Sequence, residues 1–162
     1  MKKYELSRGW RNNNPLNIRK GERWQGMRPS QNDPSFCQFE NQAWGYRAGA
    51  KVLTSYFRYM TQKGVAFSPE NIVRRWAPPK ENKTERYIER VTELTGFERQ
   101  QHLLPPNTPK GARQIALLMA AMTCVECGCE WQDVNLYNLC LGIWMAVHVA
   151  VDYEEVKKCH TD

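Results

Sequence analysis

The sequence predicts an α+β protein that is mostly helical, and three observations lead to that fold class. Apolar residues recur at helical spacing through most of the chain from Tyr46 onward. One segment, Ile115 to Val125, is apolar on most sides, which is typical of a buried helix. Earlier in the chain, the alternation from Phe36 to Phe39 and the turn residues before it indicate short strands. We therefore expect a buried central helix, surrounded by amphipathic helices, with a small β-hairpin lobe near the amino terminus.

The length of 162 residues favours one domain. We expect residues 1–10 to form a loose leader and residues 11–162 to form the domain, with the small β-lobe at 11–43 and the helical lobe at 44–162. Hydrophobic residues make up 41% of the chain and charged residues 25%, which is ordinary for a soluble globular protein that buries its own core.

Capping signals divide the helical lobe into separate helices. Ser68-Pro69-Glu70 combines a hydroxyl N-cap, a proline at the first helical position and an acid in the first turn. Thr108-Pro109 repeats this start before the buried helix, and Gly128 ends it. The helices are predicted at 46–61, from Ser68 to Pro78, from Thr84 to Gly96, from Thr108 to Gly128, and from Asp133 to about 156.

Targeting signals are not apparent in the sequence. The longest apolar run, Ile115 to Met122, is far shorter than the ~20 residues of a membrane span. The basic start Met1-Lys2-Lys3 is followed by polar residues instead of an apolar segment, so we expect no signal peptide and synthesis in the cytoplasm. Disulfides are not expected in that reducing compartment.

The charge balance narrows the class of partner. Lysine and arginine number 23 against 17 acids, which gives a net charge of +6 and a pI of about 9.1. A basic surface suits an anionic polymer, either nucleic acid or a bacterial cell wall, and it is also a common route to solubility. The basic residues are scattered and match no nucleic-acid motif, so we expect no nucleic-acid partner.

The six cysteines allow two interpretations. The spacing Cys124-x-x-Cys127-x-Cys129 is compatible with zinc, with Cys159 or His160 as a fourth ligand. Structural zinc sites normally lie in loops, whereas these residues follow an apolar helix, so buried free thiols are the simpler interpretation. The three histidines are far apart in sequence. We predict no metal and no cofactor.

Three consecutive asparagines before Pro15 predict a tight polar turn, because short amide side chains bond to their own backbone. The turn and its neighbours offer amides, a cation and a flat aromatic ring, which are groups that bind carbohydrate. On this interpretation Asn14, Asn17, Arg19 and Trp24 contact substrate. The alternative is a capped turn with a core tryptophan.

Glu126 is the strongest candidate for chemistry. It stands at the carboxyl-terminal end of the predicted buried helix, near the negative end of the helix dipole and among apolar neighbours. Both effects raise the pKa of a carboxyl group. Such a group can protonate a leaving oxygen near neutral pH. The alternative is that Glu126 only caps its helix against an arginine such as Arg47 or Arg113.

Three groups of residues carry a family resemblance. They are Arg11 to Arg19 with Trp24-Gln25-Gly26, Asp33 to Phe39 and Gly45 to Ala48; Arg75 to Pro79 with Glu81, Asn82, Thr84, Tyr87 and Ile88; and Glu126-Cys127-Gly128 with Leu141-Gly142-Ile143. Together they resemble the lysozyme-like domain of phage virion proteins and related prophage lytic proteins. The family has glycine where Leu16 stands and usually asparagine where Cys127 stands.

The sequence is also similar to two wider groups, the flagellar-type glucosaminidases and the soluble lytic transglycosylases. In those enzymes the catalytic acid is a Glu-Ser-Gly at the end of an apolar helix upstream of the β-lobe. Here Glu126-Cys127-Gly128 has that local character but lies downstream. The resemblance therefore implies a circularly permuted lysozyme-like fold.

The resemblance implies a phage or prophage peptidoglycan glycosidase, of the muramidase or lytic transglycosylase type, with Glu126 as the general acid. A hydrolase needs a second carboxylate, for which Asp33 and Glu40 are the candidates, and each is otherwise a solvated loop acid. A lytic transglycosylase needs none. Arg47 is a candidate substrate ligand or an ion-pair partner of Glu126 or Asp33.

A second implication is a non-catalytic module with the same fold, either a virion structural part or a glycan-binding unit. The expected partners are peptidoglycan glycan strands and virion proteins. The expected site of action is the bacterial cell wall or the interior of a virion. A third interpretation is a small regulatory protein that binds zinc through Cys124, Cys127 and Cys129.

Overall fold

The structure is a computed structural model that describes residues 1–80 and 83–158. Within these residues the chain forms seven α-helices and two short 3-10 helices. The 3-10 helices are Lys3–Leu6 and Trp131–Asp133, and the α-helices are α1 (Arg8–Arg11), α2 (Gln42–Gln62), α3 (Pro69–Trp76), α4 (Thr84–Thr95), α5 (Pro109–Cys127), α6 (Leu136–Val147) and α7 (Tyr153–Lys158). None of the described helices is long and apolar enough to cross a membrane.

The core forms around α5, whose residues are buried along most of its length. Its predicted start is confirmed, because the Thr108 side chain accepts a hydrogen bond from the Gly111 N–H at 3.1 Å. The predicted end at Gly128 is also confirmed, with a left-handed φ of 68°. Helices α2 and α4 pack against α5, and the buried hydroxyls of Tyr46 and Thr123 meet at 2.9 Å.

The predicted β-hairpin lobe is wrong. Within the described residues no strand forms, and only two isolated antiparallel bridges occur, Arg19 with Phe36 and Met27 with Phe39. Backbone pairing is limited to a few hydrogen bonds, such as that from the Cys37 N–H to the Ile18 carbonyl oxygen at 3.0 Å, and Asn14 Nδ2 occupies the carbonyl oxygens of Ile18 and Cys37, each at 2.9 Å. The protein is therefore helical with an irregular lobe at residues 12–41, and the α+β class is not correct.

The predicted loose leader is also wrong. Ser7 caps α1 by accepting a hydrogen bond from the Trp10 N–H at 3.3 Å, and the Tyr4 and Trp10 rings meet edge to face with centroids 4.8 Å apart. Gly9 is buried against the asparagine turn, where an added Cβ would lie 2.9 Å from the Asn14 carbonyl oxygen. The amino-terminal residues are thus packed onto the domain, since glycine permits a backbone approach that no pattern of apolar residues signals.

The long helix predicted from Asp133 to about 156 is wrong, because the structure divides this segment into a 3-10 turn, α6 and α7. Asn135, not Asp133, caps α6 by accepting from the Asn138 N–H at 3.0 Å. Helix α6 ends where His148 adopts a left-handed φ of 57°. Trp144, which the helical pattern predicts to face the core, is 50% exposed.

Candidate active site

The Glu126 carboxyl group lies where three parts of the chain meet: the end of α5, the asparagine turn and α4. Asn17 Nδ2 donates to Glu126 Oε1 at 2.9 Å, and the Tyr87 hydroxyl donates to Glu126 Oε2 at 2.9 Å. Asn17 is 109 positions away from Glu126 in sequence, so the fold is what brings the amide turn to the acid. The structure thus joins two features that the sequence analysis selected independently.

The asparagine turn holds Asn17 in the orientation that reaches Glu126. Asn17 has a left-handed φ of 52°, which asparagine tolerates better than most residues. Its N–H donates to the Asn14 carbonyl oxygen at 2.9 Å. Asn17 Oδ1 is buried and has no hydrogen-bond partner within the described residues. The side-chain amide therefore binds Glu126 through its Nδ2 atom alone.

Burial raises the pKa of Glu126 above its ordinary value of 4.5. Hydrogen bonds from Asn17, Tyr87 and Trp76 and the positive charge of Arg19 act in the opposite direction and offset part of the rise. The net result is a carboxyl group that stays protonated at a higher pH than a free glutamic acid.

Tyr87 is a reliable hydrogen-bond donor to this carboxyl group. Burial and the adjacent charge of Glu126 raise the pKa of Tyr87 well above its ordinary value, so its hydroxyl keeps its proton. The sequence analysis missed Tyr87 and Trp76 as site residues, because both lie at apolar positions of amphipathic helices. Their presence in the family resemblance is the signal that could have identified them.

A polar recess of about 510 Å³ opens beside Glu126, between α4 and the end of α5. The side chains of Lys83 and Arg86 lie exposed along it. Its lining consists of Lys83, Arg86, Tyr87, Glu89, Arg90, Glu93, Cys124, Val125 and Glu126. A larger and more apolar recess of about 660 Å³ lies near α6 and α7, and Glu126 does not line it. The recess beside Glu126 is therefore the relevant one, since it opens the Glu126 carboxyl group, whose pKa is raised, to solvent.

The Asp33 carboxylate is fully engaged in hydrogen bonds with α1 and with the irregular lobe. Arg8 Nε and Nη2 donate to its two oxygens at 2.7 Å each, and Asn12 Nδ2 donates at 2.9 Å. The backbone N–H groups of Ser35 and Phe36 both donate to Asp33 Oδ1 at 2.9 Å. The Arg8 guanidinium holds the pKa of Asp33 well below its usual range. Asp33 therefore pairs with Arg8, and the suggested pairing with Arg47 is wrong.

The remaining predicted residues take different positions. Glu40 is exposed at the end of the irregular lobe. Asn14 is completely buried and bonds only to backbone groups of the lobe, so its role is to shape the turn. Trp24 is half-buried and packs against the core, and Arg47 is half-buried in α2.

Arg19 lies close enough to Glu126 for its charge to act on the carboxyl group, as the pKa effect above requires. Its guanidinium carbon is 4.9 Å from the centre of the Phe36 ring, and that of Arg8 is 4.6 Å from the same ring. Cation–π contacts of this kind stabilise the position of the guanidinium.

Two positions that depart from the family pattern are accommodated by packing. Leu16 is completely buried against Gly49, where an added Cβ would lie 2.5 Å from Leu16 Cδ1. Cys127 is buried and its thiol donates to the Pro15 carbonyl oxygen at 3.4 Å. Both residues therefore fix the asparagine turn against the helical body.

The described residues contain no cluster of three histidine, cysteine or acidic side chains that could hold a metal ion. Cys124, Cys127 and Cys129 are buried free thiols. Cys159 and His160, the other suggested zinc ligands, lie outside the described residues, as do Glu81 and Asn82 of the family resemblance.

Comparison with known proteins shows that the chain is similar to a phage protein. No family model matches the chain. The chain is 44% identical over 103 residues to Protein P5 of Pseudoalteromonas phage PM2. That match covers 61% of this chain and 62% of the phage protein, which is less than two thirds of its length. The chain is therefore similar to a phage protein whose printed name states no activity.

Proposed function

We propose that the protein is a phage or prophage peptidoglycan glycosidase with Glu126 as its general acid. The observation that carries the proposal is the Glu126 carboxyl group itself, which has a raised pKa, receives hydrogen bonds from Asn17 and Tyr87, and lines an open polar recess. A glycosidic oxygen is a poor leaving group until it is protonated, and a carboxylic acid that keeps its proton near neutral pH supplies that proton.

The same hydrogen bonds would serve the reaction after proton transfer. When Glu126 gives its proton to the glycosidic oxygen, its carboxylate becomes charged inside a largely buried site. Asn17 and Tyr87 already donate to its two oxygens, so they stabilise that charge without rearrangement. The pair therefore stabilises the carboxylate that the first step produces.

The engagement of Asp33 removes one of the two predicted second carboxylates of a hydrolase and so supports the lytic transglycosylase type. Both oxygens of Asp33 are engaged by Arg8 and by groups of the lobe, which leaves Asp33 unsuited to act as a base or nucleophile. A transglycosylase needs no second carboxylate, because the 6-hydroxyl of the substrate attacks the anomeric carbon. Glu126, ionised by the first step, then accepts the proton of that hydroxyl.

The net charge of the chain and its similarity to a phage protein both support the proposed substrate and the proposed phage origin. A net charge of +6 favours contact with an anionic polymer such as a cell wall. The similarity to Protein P5 of a phage favours a virion or a phage lytic system as the source of the protein and virion proteins as further partners. The bond to be cut joins N-acetylmuramic acid to N-acetylglucosamine.

A non-catalytic virion structural or glycan-binding module is the second candidate. The specific observation in its favour is that the hydrogen bond from Asn17 to Glu126 also fastens the lobe to α5, which a purely structural role would explain. The replacement of the family's glycine and asparagine by Leu16 and Cys127 also favours this candidate.

The test is the release of soluble muropeptides from purified sacculi by the wild type, by Glu126→Gln and by Glu98→Gln. Glu126→Gln keeps the size of the side chain but cannot supply a proton, so release should stop. Glu98→Gln makes the same change at an exposed acid outside the recess and should release as the wild type does. Products that end in a 1,6-anhydro sugar would support the transglycosylase type. Binding of sacculi without release by the wild type would support the non-catalytic module.

A further inference from the structure

The turn that carries Glu126 is closed by two cysteines. Helix α5 ends in a left-handed Gly128, and the Cys129 N–H donates to the Cys124 carbonyl oxygen at 3.2 Å. This hydrogen bond, from the second residue after the helix to the fourth residue from its end, is typical of a Schellman motif. In such motifs the side chains at these two positions frequently contact each other. Here both side chains end in a thiol.

The two thiols are in contact and are also shielded. A hydrogen bond links the thiols of Cys124 and Cys129, and the Cys129 thiol lies 3.9 Å from the Thr123 carbonyl oxygen. The two residues are 4% and 5% exposed. Cys124 lines the recess beside Glu126, which gives a small molecule a route to one member of the pair.

We infer that Cys124 and Cys129 form an oxidation site that closes into an intramolecular disulfide in the presence of a low-molecular-weight disulfide. Disulfides require neighbouring cysteines whose side chains point toward each other, and the Schellman motif supplies that arrangement at Cys124 and Cys129. The thiol chemistry does not depend on the proposed function, whereas its setting outside the reducing cytoplasm does.

The reaction proceeds by two exchange steps. The thiolate of Cys129 attacks the small disulfide RSSR, forms a mixed disulfide and releases one RS⁻. Cys124 loses its proton and attacks the Cys129 sulfur, forms the protein disulfide and releases the second RS⁻. The two leaving thiolates take up the protons that the two cysteines lose, so two thiols are oxidised and RSSR is reduced to two RSH.

Cys129 is well suited to the first step, because the hydrogen bond with Cys129 and burial raise the pKa of the Cys124 thiol. The hydrogen bond from the Cys124 thiol lowers the pKa of Cys129, and a thiolate is the attacking species in thiol–disulfide exchange. Cys127 is not part of the pair, because its thiol is directed to the Pro15 carbonyl oxygen. The closed ring would contain Glu126 and Cys127 and would hold the left-handed end of α5 in place.

The experiment exposes the reduced full-length wild type to oxidised glutathione at neutral pH, with reduced glutathione as the reference. Remaining thiols are alkylated with iodoacetamide in denaturant, so that buried thiols also react, and the protein is digested by a protease that cleaves after glutamate. Cleavage after Glu126 separates Cys124 from Cys129. We expect two of the six thiols to escape alkylation and the two fragments to remain linked, with a higher thermal midpoint for the oxidised protein.

Matched variants decide which cysteines react. Cys127→Ser should still form the link, and Cys129→Ser should lose it. Glu126→Gln lacks the cleavage site between the two cysteines and is scored by the number of thiols that escape alkylation; it should oxidise as the wild type does, so the thiol result is independent of any glycan cleavage. The inference would be overturned by complete alkylation of the oxidised wild type. It would also be overturned by a link that persists in Cys129→Ser or that is absent from Cys127→Ser while the wild type forms it.

Discussion

The irregular lobe at residues 12–41 and the helical body differ in what determines their structure. In the body, apolar side chains are buried along α5 and the helices that pack on it, so many contacts share the stabilisation. In the lobe, backbone pairing is sparse, and a few polar side chains supply many of the remaining hydrogen bonds. Asn14 binds both backbone groups of Ile18 and the carbonyl of Cys37, and Asp33 collects Arg8, Asn12 and two backbone N–H groups.

This difference predicts two responses to mutation. Loss of one polar group in the lobe leaves several buried donors and acceptors unpaired. This lowers the free energy of unfolding strongly, because water does not reach these groups. Loss of an apolar group in the body costs transfer energy and a cavity, which the surrounding side chains partly fill. Glu126 lies on the boundary of the two regions and depends on both.

The largest effect is expected from Asn14→Ala. This change removes three hydrogen bonds in a completely buried turn, and unfolding in urea should show a loss of about 4 kcal/mol. Ser30→Ala, an exposed change in the same lobe, is the control and should stay within about 0.5 kcal/mol of the wild type. A loss below about 1 kcal/mol for Asn14→Ala would show that the lobe does not depend on its buried amides.

A somewhat smaller effect is expected from Leu118→Ala in α5. Leu118 is completely buried, so truncation should cost about 3 kcal/mol through lost burial and a cavity. Leu104→Ala removes the same atoms from a residue that is 39% exposed and should cost clearly less. Equal losses in the two variants, measured by thermal unfolding, would contradict the assignment of α5 as the centre of the core.

The helical body could be predicted from the sequence far better than the lobe could. Local residue types predict the helix starts at Ser68 and Thr108 and the helix end at Gly128, and the structure confirms all three. The hairpin prediction failed because alternation from Phe36 to Phe39 does not reveal that Asn14 would occupy the hydrogen bonds a second strand needs. The break of the last helix at His148 has no strong local signal, since no proline or glycine stands there.

The candidate site could be predicted in part. Glu126 and Asn17 were selected from local character, and only the fold could show that they touch. Asp33 was predicted as a candidate second carboxylate. Its ion pair with Arg8 depends on α1, a segment that was predicted to belong to a loose leader. The site role of Tyr87 could not be predicted, because its ring lies in the core, as its apolar helix position indicates, while its hydroxyl donates to Glu126.

A moderate effect is expected from Asp33→Asn, with a distinct dependence on pH. The folded-state pKa of Asp33 is lowered by Arg8, so its carboxylate stabilises the protein above the ordinary value of 3.8, and this contribution is lost as the pH falls. The variant should be about 2 kcal/mol less stable at neutral pH, and the difference should shrink on acidification. Urea titrations at several pH values measure it, and a difference that grows toward low pH would contradict the ion pair.

The smallest effect on stability is expected from Tyr87→Phe, at about 1 kcal/mol, because only one hydroxyl is lost. Its effect on Glu126 is the informative one. The Tyr87 hydrogen bond favours the charged carboxylate, so its removal should raise the pKa of Glu126 further and extend acid-dependent cleavage of sacculi to higher pH. Tyr137→Phe, at an exposed tyrosine on α6, should leave the pH profile unchanged. A profile that moves to lower pH in Tyr87→Phe would exclude this hydrogen bond as a determinant of the acid.

The most direct test of the account is a titration of the Glu126 side-chain carboxyl carbon by NMR in the full-length protein, assigned by comparison with Glu126→Gln. The central claim is that burial at the junction of the lobe and α5 keeps this group protonated above the range of an ordinary glutamic acid. The account predicts a midpoint above 4.5. A midpoint at or below 4.5 would contradict it, because burial would then not raise the pKa of Glu126 and the proposed acid would lack its main support.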